Sequence, residues 1–462
     1  MKRRYALPAY VAGATAARTG DEMSGPALLL AALAATGSAS TASSLLAGVM
    51  VSATVGGPLF GVLLDRSAAP GRLLGGALAL YAAGLGVLLA LVHLDRVPVW
   101  TALLVAVAAG LPAPALSGGW TSQLPRVVPP DGLRRATARD AMTFHVASLA
   151  GPALAGAVAA LYGAPAGVLV SVALICAALP SALTLPAAEF SGVRPLPAEP
   201  SAAGPSGGQP PAAEPPGGQL LPAEPPGGQP LAAEPSTTEP PGARPSAAGP
   251  SGARPSAVAS VPVVAELAAG FRAVARARPL ARATAASIVS SVGRGMLIVC
   301  CPLLGERAFG TAGHGALLLS VAAASALAAN AALSRPRAPA PAPDAVLWLG
   351  SLAAAVALLL AATGRPALVL AAMVLAGAGE GPQLTALFAI RHREAPDRLR
   401  GQVFTTGASL KITGYALGAA LAGPVATWSL PGALLTAAGF EALAVAVCAA
   451  FPSAPRSRLR PP

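Results

Sequence analysis

One feature constrains this chain more than any other: a set of long apolar stretches that occurs twice. Twelve such stretches fall at roughly 7–36, 41–64, 73–94, 98–118, 138–161, 165–187, 280–303, 312–333, 344–362, 366–390, 402–426 and 430–451. Each is long enough to cross a hydrocarbon core of about 30 Å at 1.5 Å per residue. Short motifs recur between the first six and the last six. Gly20-Asp21-Glu22-Met23 is answered by Gly293-Arg294-Gly295-Met296, and Pro130-Asp131-Gly132-Leu133-Arg134 by Pro396-Asp397-Arg398-Leu399-Arg400. Paired six-helix halves are the sequence pattern of proteins that rock one half against the other around a central site. The expected fold is an all-α membrane protein with two pseudo-symmetric six-helix bundles. The expected divisions are 1–188, a linker at 189–262, 263–452, and a basic tail at 453–462.

Composition agrees, since 54% of residues are hydrophobic and only 11% charged. A water-soluble protein of this length carries about twice that charge. The four cysteines, Cys176, Cys300, Cys301 and Cys448, all lie in apolar stretches without paired spacing. They read as apolar fillers, not disulfides or metal ligands. The first stretch is too long, and too charged in its middle, for a cleavable signal peptide.

The net charge of +12 is distributed unevenly. With the N-terminus in the cytoplasm, twelve crossings put Lys2, Arg3, Arg4, Arg66, Arg72, Arg126, Arg134 and Arg135 on the inner side. Arg335, Arg337, Arg391, Arg393, Arg398, Arg400, Arg456, Arg458 and Arg460 join them, leaving Arg96, Arg307 and Arg365 outside. That bias predicts a multi-pass protein of the plasma membrane with both termini cytoplasmic. The basic charge points to the anionic inner leaflet as partner, not to nucleic acid.

The linker repeats with a period of ten. Ala213-Glu214-Pro215-Pro216-Gly217-Gly218-Gln219 recurs at Ala223–Gln229, and Arg244-Pro245-Ser246-Ala247 recurs at Arg254–Ala257. It has too few large apolar residues to build a core and reads as a disordered, cytoplasmic, Pro/Gly-rich segment. Beyond it, Val261–Arg278 alternates Glu266, Arg272, Arg276 and Arg278 with Leu267, Phe271 and Val274, an amphipathic pattern suited to the inner leaflet.

Between the second and third stretches stands Gly57-Pro58-Leu59-Phe60-Gly61-Val62-Leu63-Leu64-Asp65-Arg66, then Pro70-Gly71-Arg72. Gly57 and Gly61 make a small-xxx-small face for close helix approach. Asp65 ends a helix, where it can bridge to arginines or to a neighbouring helix N-terminus. In the fifth stretch Gly151-Pro152-Ala153-Leu154-Ala155-Gly156 reads as a packing motif with a proline kink at its centre. The loop motif resembles that of the major facilitator superfamily, though with fewer basic residues. Its second-half counterpart, Ser334-Arg335-Pro336-Arg337, has degenerated. The Gly-Pro motif resembles that of exporter branches of the superfamily, although Ala155 replaces a common glycine, and the order Gly20-Asp21, Asp65-Arg66, Leu124-Pro125 with Leu133-Arg134, Gly151-Pro152 is similar to bacterial drug- and siderophore-exporting members. The resemblance covers residues 5–187 and 262–452. It implies a central cavity lined mainly by helices one, four, seven and ten.

The charges inside the apolar stretches are few. An ionised group at bilayer depth costs about 2.5–3.5 kcal/mol or more, so such residues line a cavity or pair with one another. The candidates for a proton-coupling and substrate cavity are Arg18, Asp21, Glu22, Arg294, Glu380, His145 and Lys411. Asp21 and Arg294 hold matching places in the two repeats and are expected to pair across the halves. An alternative is an Arg18–Glu22 pair within one helix turn. Glu380, in Gly377-Ala378-Gly379-Glu380-Gly381-Pro382, has no basic neighbour in its own helix and is the expected proton-coupling carboxylate. Glu441 reads as a peripheral group and Trp120 as an interfacial anchor. His93, His314 and His392 read as loop residues without metal spacing.

The reading is a secondary transporter of small molecules by alternating access, not an enzyme. It needs no cofactor beyond a proton gradient. Its partners are a small-molecule substrate, protons and lipid, and it acts as a monomer. Proton-driven efflux of a drug-like or natural-product compound leads. Mixed charge and abundant small residues suggest a roomy cavity, and 4% aromatic content leaves few stacking platforms for sugars. Uptake by symport, and a non-transporting sensor of the same fold, are the alternatives.

Overall fold

A computed structural model of the chain describes residues 6–93, 98–186, 263–310, 314–335 and 341–450. The linker at 189–262 and the tail at 453–462 lie outside the described residues. Among those described there are helices and turns but no strand. In hydrocarbon every backbone N–H and C=O must find a partner within its own segment, and a helix provides that.

The first set comprises α1 (Ala6–Thr36), α2 (Ala39–Arg66), α3 (Pro70–His93), α4 (Val99–Gly110), a short α5 (Leu124–Val127), α6 (Leu133–Tyr162), α7 (Ala164–Ala177) and a short α8 (Leu179–Leu183). The second begins with α9 (Val263–Arg276). It continues through α10 (Arg278–Phe309), α11 (His314–Leu333), α12 (Pro343–Ala362), α13 (Pro366–Glu394), α14 (Arg400–Trp428) and α15 (Leu430–Ala450). Proline opens α7, α10, α12 and α13, where a missing N–H costs nothing. After α4, Pro112 and Pro114 interrupt the helix, and the chain resumes as a π-helical turn at Ala115–Gly119. α1 runs continuously through Pro26.

Ten of the helical segments are long and apolar enough to cross a membrane. α1 and α14 are long enough but too polar to join them. α1 carries Arg18, Asp21 and Glu22, and α14 carries Lys411 with several serines and threonines. The chain therefore weaves back and forth, and many of the described arginines gather at the end that holds the 66–70 and 394–400 connections. That end is called the basic end below.

Helices on both sides of the undescribed linker belong to one compact unit. Each set has its own apolar core. One runs from Tyr10 to Ala182 and the other from Met296 to Ala438. The sets meet along two seams, α2 against α14 and α6 against α11 and α13. A third cluster crosses between them, in which Ala141 and Phe144 of α6 pack with Phe388 of α13 and Phe404 of α14. Those rings stack in series, Phe144 on Phe388 at 5.5 Å and Phe388 on Phe404 at 5.9 Å. α9 forms a helix in the amphipathic stretch and packs on α2, α10 and α14.

Candidate functional site

The α2–α14 seam is built from residues too small to keep the helices apart. A methyl group added at Gly57 would strike Ser409 and the carbonyl of Thr405; one at Gly61 would strike Thr405 and the backbone of Gln402. Ser409 donates to the carbonyl of Ala53 at 2.6 Å, and Thr413 reaches Thr54 at 3.4 Å. At the basic end Asp65 accepts from the backbone N–H groups of Gly401 at 2.7 Å and Gln402 at 2.8 Å. These are donors of the first turn of α14, left open by helix geometry and positive in character. Gln402 has a second attachment, since its side chain donates to the carbonyl of Leu267 in α9 at 3.0 Å. Gly270 gives it room, as any Cβ there would meet the Gln402 amide. Arg66 and Arg72 are exposed beside this clamp. The two sets are thus closed on each other at the basic end, from Asp65 up to Ala53.

Above that closure lies a narrow cleft of about 20 Å³, lined by Ser290, Arg294, Glu380, Gln383, Leu387 and Lys411 among others. That is room for about one water and far below the usual range for ligand pockets, so the expected roomy cavity is not present in this state. The lining comes from α10, α12, α13 and α14, all in the second set. Helices one and four, expected at the wall, do not line it.

Arg294 organises the cleft. It forms an ion pair with Glu380 and donates to Gln383 Oε1 at 2.5 Å. Gln383 in turn donates to Ser351 at 2.7 Å. Glu441 Oε1 lies 3.9 Å from Arg294 Nε and accepts from Ser290 at 2.9 Å. The side chain of Glu380 is 30% exposed, whereas that of Glu441 is wholly buried. Lys411 lies over the Tyr415 ring, 5.7 Å from its centre, and Tyr415 is hydrogen-bonded to Arg294. From the first set, Glu22 stands near Ser148 and comes within Coulombic reach of Lys411. Buried His145 comes within the same reach of Glu380, Lys411 and Arg294.

Of the seven sequence candidates, Arg294, Glu380 and Lys411 line the cleft, and Glu22 and His145 lie within electrostatic reach of it. Asp21 and Arg18 do not. The expected Asp21–Arg294 pair is not formed. Asp21 instead accepts from the Tyr81 hydroxyl of α3 at 2.8 Å. Matching places in two repeats are related by the axis between halves, and each side chain here is satisfied within its own half. Arg18 pairs with neither Glu22 nor Asp21. It binds Asp140 of α6 at 2.9 Å and donates to Thr121, also at 2.9 Å, and to Thr143. Tyr10 and Thr121 complete the shell by donating to Asp140 at 2.9 and 2.8 Å. The Arg18 guanidinium covers the Phe144 ring at 3.8 Å. With Arg18 at 2% and Asp140 at 0% exposure, this is an internal brace between α1 and α6 rather than a cavity group.

Other expectations need correction. Trp120 is wholly buried and edge-on to Tyr10 at 6.0 Å, not at the interface. Glu441 is not peripheral. His392 is helical and buried against Phe404, with ring centres 4.5 Å apart. Cys176 is exposed, unlike the other three cysteines. In α6, Gly151 lets Glu22 and Met23 approach, since a methyl there would stand 2.7 Å from the Glu22 Cβ. Gly156 meets nothing within 4 Å, and buried Ala155 occupies the packing face instead. α6 runs unbroken through Pro152. Asp140 and Gln383 were missed; both sit in apolar helices, and a polar residue within such a helix is the available signal.

A weave of membrane-length helices in two sets, closed at one end around a charged cleft, is the build of a membrane transporter rather than an enzyme. The chain belongs to the Major Facilitator Superfamily, whose family profile it matches over residues 11–341. No curated protein matches the sequence. Among solved structures it is similar to the human organic anion transporter TETRAN. The two share 13% identity with a TM-score of 0.66, over 97% of this chain and 100% of the other. It is similar to a bacterial homologue of the iron transporter ferroportin in an outward-facing state, at 13% identity and TM-score 0.66, over 96% and 99%. It is also similar to the E. coli fucose:proton symporter, at 15% identity and TM-score 0.63, over 98% and 100%. At these identities the likeness is one of fold.

Proposed function

We propose that this transporter exports a small drug-like or natural-product molecule across the plasma membrane in exchange for protons, by alternating access of two six-helix bundles. The basic end faces the cytoplasm with both termini, and the closed seam makes this the state shut towards the cell interior. The observation that carries the reading is the Arg294–Glu380 ion pair in the wall of the cleft. A charge at this depth survives by being paired. Glu380 is the partly exposed member, so a proton arriving through the cleft reaches it first. Protonation removes the charge with which that carboxylate would otherwise hold a cationic or donor group of the cargo. Proton and cargo then compete for one network, which is what exchange requires. Lys411, Glu22 and His145 surround that network with charges from both halves. The direction of export follows the resemblance of the α6 Gly-Pro motif to exporters.

The test is transport into inverted membrane vesicles with an acid interior, using a panel of hydrophobic dyes and antibiotics. The wild type is expected to accumulate at least one compound in a gradient-dependent way, and Glu380→Gln to lose that dependence. Gradient-driven accumulation that survives Glu380→Gln refutes the coupling assignment. Accumulation only in right-side-out vesicles with an acid exterior makes the protein an uptake symporter.

A further inference from the structure

Glu441 lies behind the cleft, where no substrate reaches it, yet it occupies a built seat. Ser290 of α10 donates to Oε1 at 2.9 Å, and Ser351 of α12 stands near the carboxyl group. Gly293 leaves the room, since a methyl there would stand 3.3 Å from Glu441 Cγ. Arg294 Nε lies 3.9 Å from Oε1. Oε2 is buried without a protein partner among the described residues. Gln383 ties the two sides together, because it accepts from Arg294 and donates to Ser351, which stands near Glu441. One guanidinium thus stands between two carboxylates. Glu380 touches its cleft side and Glu441 its buried side.

We propose that Glu441 is the reserve counter-ion of Arg294, a positioning carboxylate that holds the guanidinium when Glu380 is protonated or drawn towards cargo. The inference rests on the proton-coupled reading above. The step involves one proton, which moves from cleft water onto the Glu380 carboxylate while the ionic contact of Arg294 passes to Glu441. No bond between heavier atoms forms or breaks. Without Glu441, protonating Glu380 would strand a guanidinium that is 9% exposed inside the membrane, where an unpaired charge is strongly unfavourable. The ionisable groups facing Glu441 are few. α10 brings Arg294, α13 brings Glu380 from beyond Arg294, α14 brings Tyr415 bonded to Arg294, and α12 brings only the Ser351 hydroxyl at this level.

Two measurements on the full chain in nanodiscs test this without knowledge of the cargo. The first is a thermal-unfolding cycle of Glu380→Gln, Glu441→Gln and the double variant. Either carboxylate suffices to hold Arg294, so the double variant is expected to lose far more stability than the two single changes summed. Additive losses overturn the proposal. The second is cross-linking of Thr54→Cys to Thr413→Cys as a function of pH, which reports closure of the basic end. In Glu441→Gln the sole remaining carboxylate is held harder by Arg294, so more acid is needed to protonate it. The midpoint is expected to move to lower pH by about one unit, and Glu441→Asp to restore it. An unmoved midpoint with a coupled stability cycle reduces Glu441 to a static brace and overturns the transfer. Cross-linking in the wild type that ignores pH refutes proton coupling itself, while the stability cycle still decides the sharing of Arg294.

Discussion

Replacing Gly61 with alanine tests whether the α2–α14 seam is a state-specific contact. The added methyl would lie against Thr405 Oγ1 and the backbone Cα of Gln402, with the Gln402 nitrogen 2.9 Å away. A hydroxyl can rotate, but backbone cannot, so the helices must separate or strain. Overpacking of this kind costs about 1–3 kcal/mol. Alanine also improves intrinsic helix stability by about 0.8–1.0 kcal/mol, but equally in both transport states, so that gain cancels. The clash exists only while the basic end is closed. The equilibrium should therefore move towards opening by roughly 5–150-fold. The assay is the disulfide between Thr54→Cys and Thr413→Cys, whose hydroxyls in the parent lie 3.4 Å apart across the same seam. Gly86→Ala in α3 is the control, because nothing lies within 4 Å of its added methyl. Gly61→Ala is expected to slow cross-linking at least fivefold and Gly86→Ala to leave it unchanged. Equal rates in both would mean that the glycine face does not set the closed state.

Three further outcomes follow from other contacts. Asp140→Ala removes the carboxylate from buried Arg18 and is expected to cost about 3–5 kcal/mol, read as a large drop in melting temperature; the pair Arg18→Met with Asp140→Leu should recover much of it. Asp65→Ala removes two charge-assisted bonds to the α14 N-terminus, each worth about 1.5–3 kcal/mol, and should slow the same cross-link. Gly270→Leu forces the Gln402 side chain off Leu267, and proteolysis of α9 in the intact protein should accelerate while a distant site keeps its rate.

The helices were legible because hydrocarbon leaves the backbone one local solution, and length with apolarity is enough to find it. Even α1 and α14, which fall short on apolarity, lie at the stretches read at 7–36 and 402–426. Pairing was far less legible. Arg18 and Asp140 are 122 residues apart, and nothing in the local pattern of either names the other. Repeat symmetry suggested Asp21 for Arg294, yet each found its partner within its own half, Tyr81 and Glu380. Symmetry fixes where a residue lies in its bundle; rotation about the helix axis decides what it touches. Glu441 was undervalued for the same reason, since its helix sits at the margin in sequence but one face of it meets Arg294. Gly151 and Gly156 make the point at short range. Five residues apart, they point to opposite sides of α6, one into α1 and the other into open space.

The Asp65 clamp joins a side chain on one half to bare backbone on the other. Any helix start offers such donors, so the second half needs no matching acid to receive it. For a chain built by repetition, one copy of the motif can hold the gate while the other is released from that duty. The loop at Ser334-Arg335 has no aspartate where Asp65 stands in the first half. Duplication here supplied the scaffold in two copies, and the lock needs only one.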